Sequence, residues 1–226
     1  MPVKMKQSLL LFVVICLIIS CKQNKEEASN ATSLTVAEKI AKAHGFKQWK
    51  QVSKMEFTFN IDKDSSHFER AWTWYPKTQD VQLIIAKDTI RYNRNTVDSL
   101  SIQADKSFIN DKFWLFIPFQ LVWDTRTNIS TPVVEDAPIS KTSMHKITLT
   151  YPNDGGYTPG DAYDLYFQDD YIIKEWVFRK GNKEKPSLVS TFEKYKDFNG
   201  IKLALEHKKA EGSWNLNFTN VSVVLE

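Results

Sequence analysis

Cys21 is the residue of this 226-residue chain whose neighbours best define a chemistry for it. It closes Ile18-Ile19-Ser20-Cys21, which follows Lys4, Lys6 and an unbroken apolar run from Leu9 to Ile19. An 11-residue apolar core is too short to cross a bilayer, which takes about 20 residues. Positive charge, apolar core and small Ser20 before a cysteine make the pattern of a bacterial lipobox. There the leader is cut before the cysteine and the thiol is acylated. Chains such as palmitate bring about 0.8 kcal/mol per buried methylene, and several together hold a protein on a membrane. Cys16, the other cysteine, lies within the leader, so the mature chain is expected to have neither a free thiol nor a disulfide.

The titratable residues form no comparable set. His44, His67, His145 and His207 lie far apart and make no His-Glu-x-x-His pair. Asp169-Asp170 sits at a turn. No Gly-x-Ser-x-Gly elbow, phosphate-binding loop or dinucleotide fingerprint occurs. No catalytic, metal-ligating or cofactor-binding residue is assigned, and a non-enzymatic role is expected. A hydrolase stays as a lesser alternative, because carboxylates from distant strands can meet in a cleft. Asn153-Asp154-Gly-Gly-Tyr157-Thr-Pro-Gly-Asp161 has oxygens a hard cation could use, but its spacing is not that of an EF-hand. It reads as a long turn with Tyr157 at its tip. Asp88-Thr89-Ile90 and Asp98-Ser99-Leu100 match a short O-glycosylation pattern used by some Gram-negative bacteria.

The remaining candidates are aromatic. Phe113-Trp-Leu-Phe-Ile-Pro-Phe-Gln-Leu-Val-Trp123 carries no charge, a central proline and five aromatic rings, after an expected helix from Asp105 to Asp111. It reads as an irregular lid across a concave face, with Trp114, Phe116, Phe119 and Trp123 lining an apolar ligand cavity. Trp72, Trp74 and Trp176 are candidates for the same cavity. Core filling is the commoner use of such rings and competes with this reading; insertion into the lipid interface is a third.

These side chains need a scaffold, and the sequence supplies one that is mainly β. Thr35 and Glu38 form a capping box for a helix carrying Val36, Ile40 and Ala43, which Gly45 ends. Phe46, Trp49 and Val52 follow at helical spacing. The period then becomes two: Met55, Phe57, Phe59 and Ile61 alternate with polar residues, and similar runs recur to the C-terminus. Asn199-Gly200 signals a hairpin. A phase slip near Thr219-Asn220, between Phe218 and Val221, implies a β-bulge. Successive hairpins of this kind make a large antiparallel meander.

The chain divides into a signal peptide (1–20), a lipidated polar tether (21–34) and one β-domain (35–226). With 30 basic and 27 acidic residues, loss of Lys4 and Lys6 leaves a near-neutral domain whose charges are interspersed. That excludes a nucleic-acid footprint. About 190 residues suffice for one substantial core. Lys22, rather than aspartate, after the cysteine points to the outer membrane, and Lys25-Glu26-Glu27 loosely fits a surface-export signal. The facing side, periplasmic or exposed, stays open.

The helix ending in His44-Gly45, with Trp49 and Val52 before a first strand, resembles the start of LolA/LolB-like lipoprotein-carrier domains. The Tyr195-Lys-Asp-Phe-Asn-Gly-Ile-Lys-Leu203 hairpin fits the same pattern. Trp114-Leu-Phe-Ile-Pro118 and Gly155-Gly-Tyr-Thr-Pro-Gly-Asp161 look closer to a group of Gram-negative lipoproteins carrying a domain of unknown function. The resemblance covers residues 35–226. It implies an antiparallel sheet bent into an unclosed half-barrel, with an N-terminal and an inserted helix on its concave face. It also implies binding of acyl chains or a lipoprotein's lipid there. Beyond the bilayer itself, the partner expected is such a ligand or, in the alternative, a protein of an envelope complex bound by a filled barrel.

Overall fold

A computed structural model describes residues 33–226. The signal peptide, Cys21 and the tether as far as residue 32 lie outside the described residues.

Helix α1 (Val36–Ala43) begins where the Thr35 hydroxyl accepts from the Glu38 N–H and the Glu38 carboxylate accepts from the Thr35 N–H, the expected capping box. It ends at Gly45, whose φ of +87° suits glycine alone. A Cβ there would lie 1.8 Å from the Gly200 carbonyl oxygen. The Lys202 N–H donates to the His44 carbonyl at 3.0 Å beside this contact. The helix stop and the Asn199-Gly200 turn, noted separately in the sequence, thus meet.

A 3-10 turn (Phe46–Gln51) leads into β1 (Val52–Lys63), β2 (Ser66–Tyr75), β3 (Asp80–Ile85) and β4 (Asp88–Asn93). After α2 (Ile102–Trp123) come β5 (Asn128–Ile129), β6 (Val133–Asp136), β7 (Ser143–Thr150), β8 (Ala162–Phe167), β9 (Ile173–Arg179) and β10 (Leu188–Thr191). β11 (Lys196–Phe198) and β12 (Ile201–Leu203) form a hairpin, followed by β13 (Glu206–Lys208) and β14 (Asn215–Leu225).

One six-stranded sheet runs β13-β14-β1-β2-β3-β4, and the second runs β10-β9-β8-β7-β5 with β6 also on β7. Both are antiparallel. They are stitched at the β10–β13 seam, where the Glu193 N–H donates to the Glu206 carbonyl at 2.8 Å and the Lys208 N–H to the Thr191 hydroxyl at 3.0 Å. Neither sheet closes on itself, which is the unclosed half-barrel expected. The bulge falls where the phase slip placed it: Glu56 pairs with Ser222 and Thr58 with Thr219, and Asn220 at φ +51° absorbs the extra residue.

The helix expected over Asp105–Asp111 and the irregular stretch after it are one element, α2, and this corrects the sequence reading. Pro118 lies inside it and cannot donate to the Trp114 carbonyl. The resulting kink sits at Phe116, with φ −117° and ψ 21°. Its second half escaped recognition because residues 113–123 are apolar on nearly all sides, and so show no 3.6-residue period. The helix lies between the two sheets. Phe108, Leu115, Phe116 and Phe119 pack with Phe57, Phe59 and Trp72 of the first sheet. Phe113, Ile117 and Leu121 pack with Ile147, Leu165 and Trp176 of the second, and with Ile40 of α1. Each such side chain contributes about 1.5–3 kcal/mol by burial. These cores belong to one compact unit that runs from Leu34 to Glu226.

Candidate functional site

α2 carries three charged side chains into the interior, and their partners differ. Asp111, fully buried, accepts from Arg70 Nε at 2.8 Å and Nη2 at 2.6 Å, from the Trp72 indole at 2.8 Å and from Asn110 at 3.0 Å. This explains why Arg70 breaks the apolar face of β2. Burial raises the Asp111 carboxyl, and the Arg70 guanidinium opposes that shift. Asp105 accepts from Arg94 Nε at 2.9 Å, the Tyr92 hydroxyl at 3.2 Å and the Tyr157 hydroxyl at 2.8 Å.

Lys112 is different. Its side chain is 6% exposed, yet its hydrogen bond is a long one to Gln120 Oε1 at 3.4 Å. Its ammonium lies 5.5 Å from the Trp74 ring centre and 5.1 Å from that of Trp123. Among the described residues no carboxylate pairs with it. Burial pulls its pKa down to about 8, so most of the charge persists at neutral pH.

Of these three charges, Lys112 lines a cleft of about 1190 Å³ between α2 and the two sheets, whereas Asp105 and Asp111 do not. Trp49 and Trp74 line it from the first sheet's side, and Trp176, Tyr163 and Phe178 from the second. Phe113, Trp114 and Trp123 line it from α2, and Lys112 and Gln120 supply polar atoms. The β2–β3, β7–β8 and β9–β10 connections ring it through Gln79, Asp154–Thr158 and Ser187. The Trp74 and Trp176 indole N–H groups are buried and have no acceptor among the described residues.

Of the candidates named from sequence, Trp74, Trp114, Trp123 and Trp176 therefore line this cleft. Trp72, Phe116 and Phe119 are at most 2% exposed and belong to the packed core beneath it. Trp72 and Trp176 sit in separate cores on different sheets. Sequence reasoning missed Trp49, Tyr163, Phe178 and above all Lys112, the charge immediately before the uncharged run.

The Asn153–Asp161 turn is pinned inward. Tyr157 reaches Asp105 on α2, Asp154 pairs with Arg126 at 2.9 Å, and Asp161 accepts from the Gly181 N–H at 2.7 Å. Its acids are thus engaged with the protein. No metal-holding group of His, Cys, Asp and Glu occurs among the described residues. His67 lies 2.7 Å from Asp62 and 3.5 Å from Glu69 on an exposed strand face, away from the cleft. Thr89 and Ser99 are both exposed.

No protein-family model matches the chain, and no curated protein does. Solved structures do. A LolA superfamily protein from Nitrosomonas europaea is 11% identical, with a TM-score of 0.49 over 84% of this chain and 94% of that one. A DUF1329 family protein from Desulfovibrio piger is 10% identical, with a TM-score of 0.45 over 83% of this chain and 91% of that one. A Vibrio parahaemolyticus domain described as an outer membrane lipoprotein-sorting protein is 12% identical, with a TM-score of 0.44 over 83% and 93%. These are likenesses of fold.

Proposed function

We propose that the chain is a lipid-anchored, non-enzymatic protein of the cell envelope that holds an acyl chain or similar apolar group in the cleft beside α2. The cleft itself carries the reading. At about 1190 Å³ it exceeds the roughly 300–1,000 Å³ of common ligand pockets, and a third of the residues lining it are tryptophan, phenylalanine or tyrosine. The acids that line it are engaged by the protein, Asp124 by the Tyr151 hydroxyl, Asp154 by Arg126 and Asp161 by the Gly181 N–H, which suits binding better than proton transfer. Anchoring rests on the sequence around Cys21, and outer-membrane placement on Lys22.

A second reading, an interaction subunit of an envelope complex, is favoured by one observation. Val133 and Val134 are 48% and 68% exposed on the edge strand β6.

Two experiments test the proposal. Cells fed radiolabelled palmitate should label the wild-type chain and not Cys21→Ser, and an unlabelled wild type would refute the anchor. The β-domain, made without leader and cysteine, should bind the neutral probe N-phenyl-1-naphthylamine with micromolar affinity and lose that binding in a Trp114→Ala, Trp123→Ala double variant. Probe binding that survives in the folded double variant, or none in the wild type, would remove the cleft as a ligand site.

A further inference from the structure

We propose that the cleft selects an amphiphile with an anionic head, whose carboxylate or phosphate oxygen pairs with the Lys112 ammonium while its tail lies along the tryptophan wall. The inference rests on the apolar-ligand reading above and adds the chemistry of the head group.

The Lys112 ammonium has three donors, and among the described residues only the 3.4 Å contact to Gln120 Oε1 engages one. The Trp74 and Trp123 faces attract the cation but offer no lone pair. A buried charge is ordinarily paired, since desolvation costs several kcal/mol per ion. The other interior charges of α2 obey that rule, Asp111 with Arg70 and Asp105 with Arg94. Arg126 at the rim is likewise paired with Asp154. Lys112 is the exception among the buried charges of α2, and it lines the cleft; Lys106, which also lines it without a carboxylate partner among the described residues, is exposed.

Its surroundings keep it charged without satisfying it. Asp124 and Asp105 favour the ammonium through space, Arg94 opposes it, and burial pulls it down to about 8. A second donor beside it is also free: Trp74, whose ring faces Lys112, has its indole N–H without an acceptor among the described residues. An anionic oxygen supplies the one kind of group missing here. A neutral alcohol or ester supplies a weaker acceptor and leaves the charge uncompensated.

The test uses the β-domain, which lies within the compact unit Leu34–Glu226, with folding checked by a single cooperative unfolding transition. Oleate, oleyl phosphate and oleyl alcohol, with the same chain and different heads, compete against bound N-phenyl-1-naphthylamine. At least one of the two anions should displace the probe at concentrations at least tenfold below the alcohol. Lys112→Met, which keeps an unbranched apolar stem between the two indoles, should bring anion and alcohol within about twofold; Lys112→Arg should restore most of the preference. A response to oleate alone assigns the head to a free carboxylate, and one to oleyl phosphate alone assigns it to a phospholipid-type head. Equal displacement by anions and alcohol in the wild type overturns the inference and leaves the apolar cleft standing. So does an anion preference that persists in Lys112→Met. Failure of the probe and all three lipids to bind overturns the cleft reading, and the head-group inference with it.

Discussion

The β-domain should lose stability between pH 7.5 and 5.5, before ordinary carboxylates titrate, because two histidines are buried in neutral form. His207 is fully buried among Trp114, Phe192 and Phe218. Its Nδ1 lies 3.0 Å from the Thr191 carbonyl, and its Nε2 has no partner among the described residues. His44 likewise has Nδ1 2.8 Å from the Ile40 carbonyl at the end of α1. Burial pulls their pKa values from 6.5 down to about 3 and about 4 respectively. Both folded values are depressed, so the unfolded chain binds more protons in this window. Stability is then complete above pH 6.5 and falls as pH drops toward 4. From pH 7.5 to 5.5 each histidine removes about 1.4 kcal/mol, and the pair about 3 kcal/mol. His67 works in the opposite sense, since hydrogen bonding to Asp62 raises its pKa, but it is exposed and about 0.2 M salt screens it. Urea unfolding followed by tryptophan fluorescence at both pH values measures the loss, and His207→Phe isolates one group. The variant should be less stable at pH 7.5, having lost its bond to Thr191, yet show about half the wild-type decline. A wild-type midpoint that does not move, or a variant with the full wild-type slope, would refute the assignment.

Three further substitutions probe the scaffold and the site. Gly45→Ala combines a φ of +87° with a Cβ 1.8 Å from the Gly200 carbonyl, and should destabilise by about 3 kcal/mol or more in the same urea assay. Arg70→Met leaves the Asp111 carboxylate buried without its cation and should cost about 3–5 kcal/mol, while Arg70→Met with Asp111→Leu should recover part of that. Lys112→Met, in the absence of lipid, should raise stability by about 1–3 kcal/mol, because it removes a buried charge that has no counter-ion. A destabilised Lys112→Met would mean that the ammonium serves the fold.

The β-domain was legible where side-chain period and turn chemistry act locally. Strand alternation in Met55–Ile61, the Thr35–Glu38 capping box and the slip at Asn220 each depend on neighbours in sequence, and each stands where expected. The half-barrel itself came from the family resemblance rather than from periodicity. α2 was misread because its second half is buried on every side, which erases the periodicity that identifies a helix. Pairing across the fold was also hidden. Arg70 stands among apolar residues on β2, and its partner, Asp111, comes 41 positions later. Lys112 was overlooked because a lysine before an apolar run is usually a solvated flank. Only the position of α2 between two sheets shows that it is enclosed.

The same geometry bears on whether the aromatic residues fill the half-barrel or bind within it. Ring packing does not separate the two, because a wall and a core bury tryptophan alike. Polar atoms do. In the packed core beneath the cleft, the Trp72 indole N–H is satisfied by Asp111 at 2.8 Å. The Trp74 and Trp176 N–H groups, on two different sheets, have no acceptor among the described residues, and both residues line the cleft. Lys112, between Trp74 and Trp123, makes a third under-satisfied donor in the same wall. Buried donors are nearly always paired, and an orphan costs about 1–3 kcal/mol. Three such donors along one cleft suit a site that takes up oxygen-bearing ligands better than a barrel selected only to be full, although the Ser190 hydroxyl, off the cleft, also has no partner among the described residues. The two indole nitrogens are sealed by their neighbours, so a ligand reaching them must turn a side chain aside. Uptake should therefore change tryptophan emission as well as displace a probe.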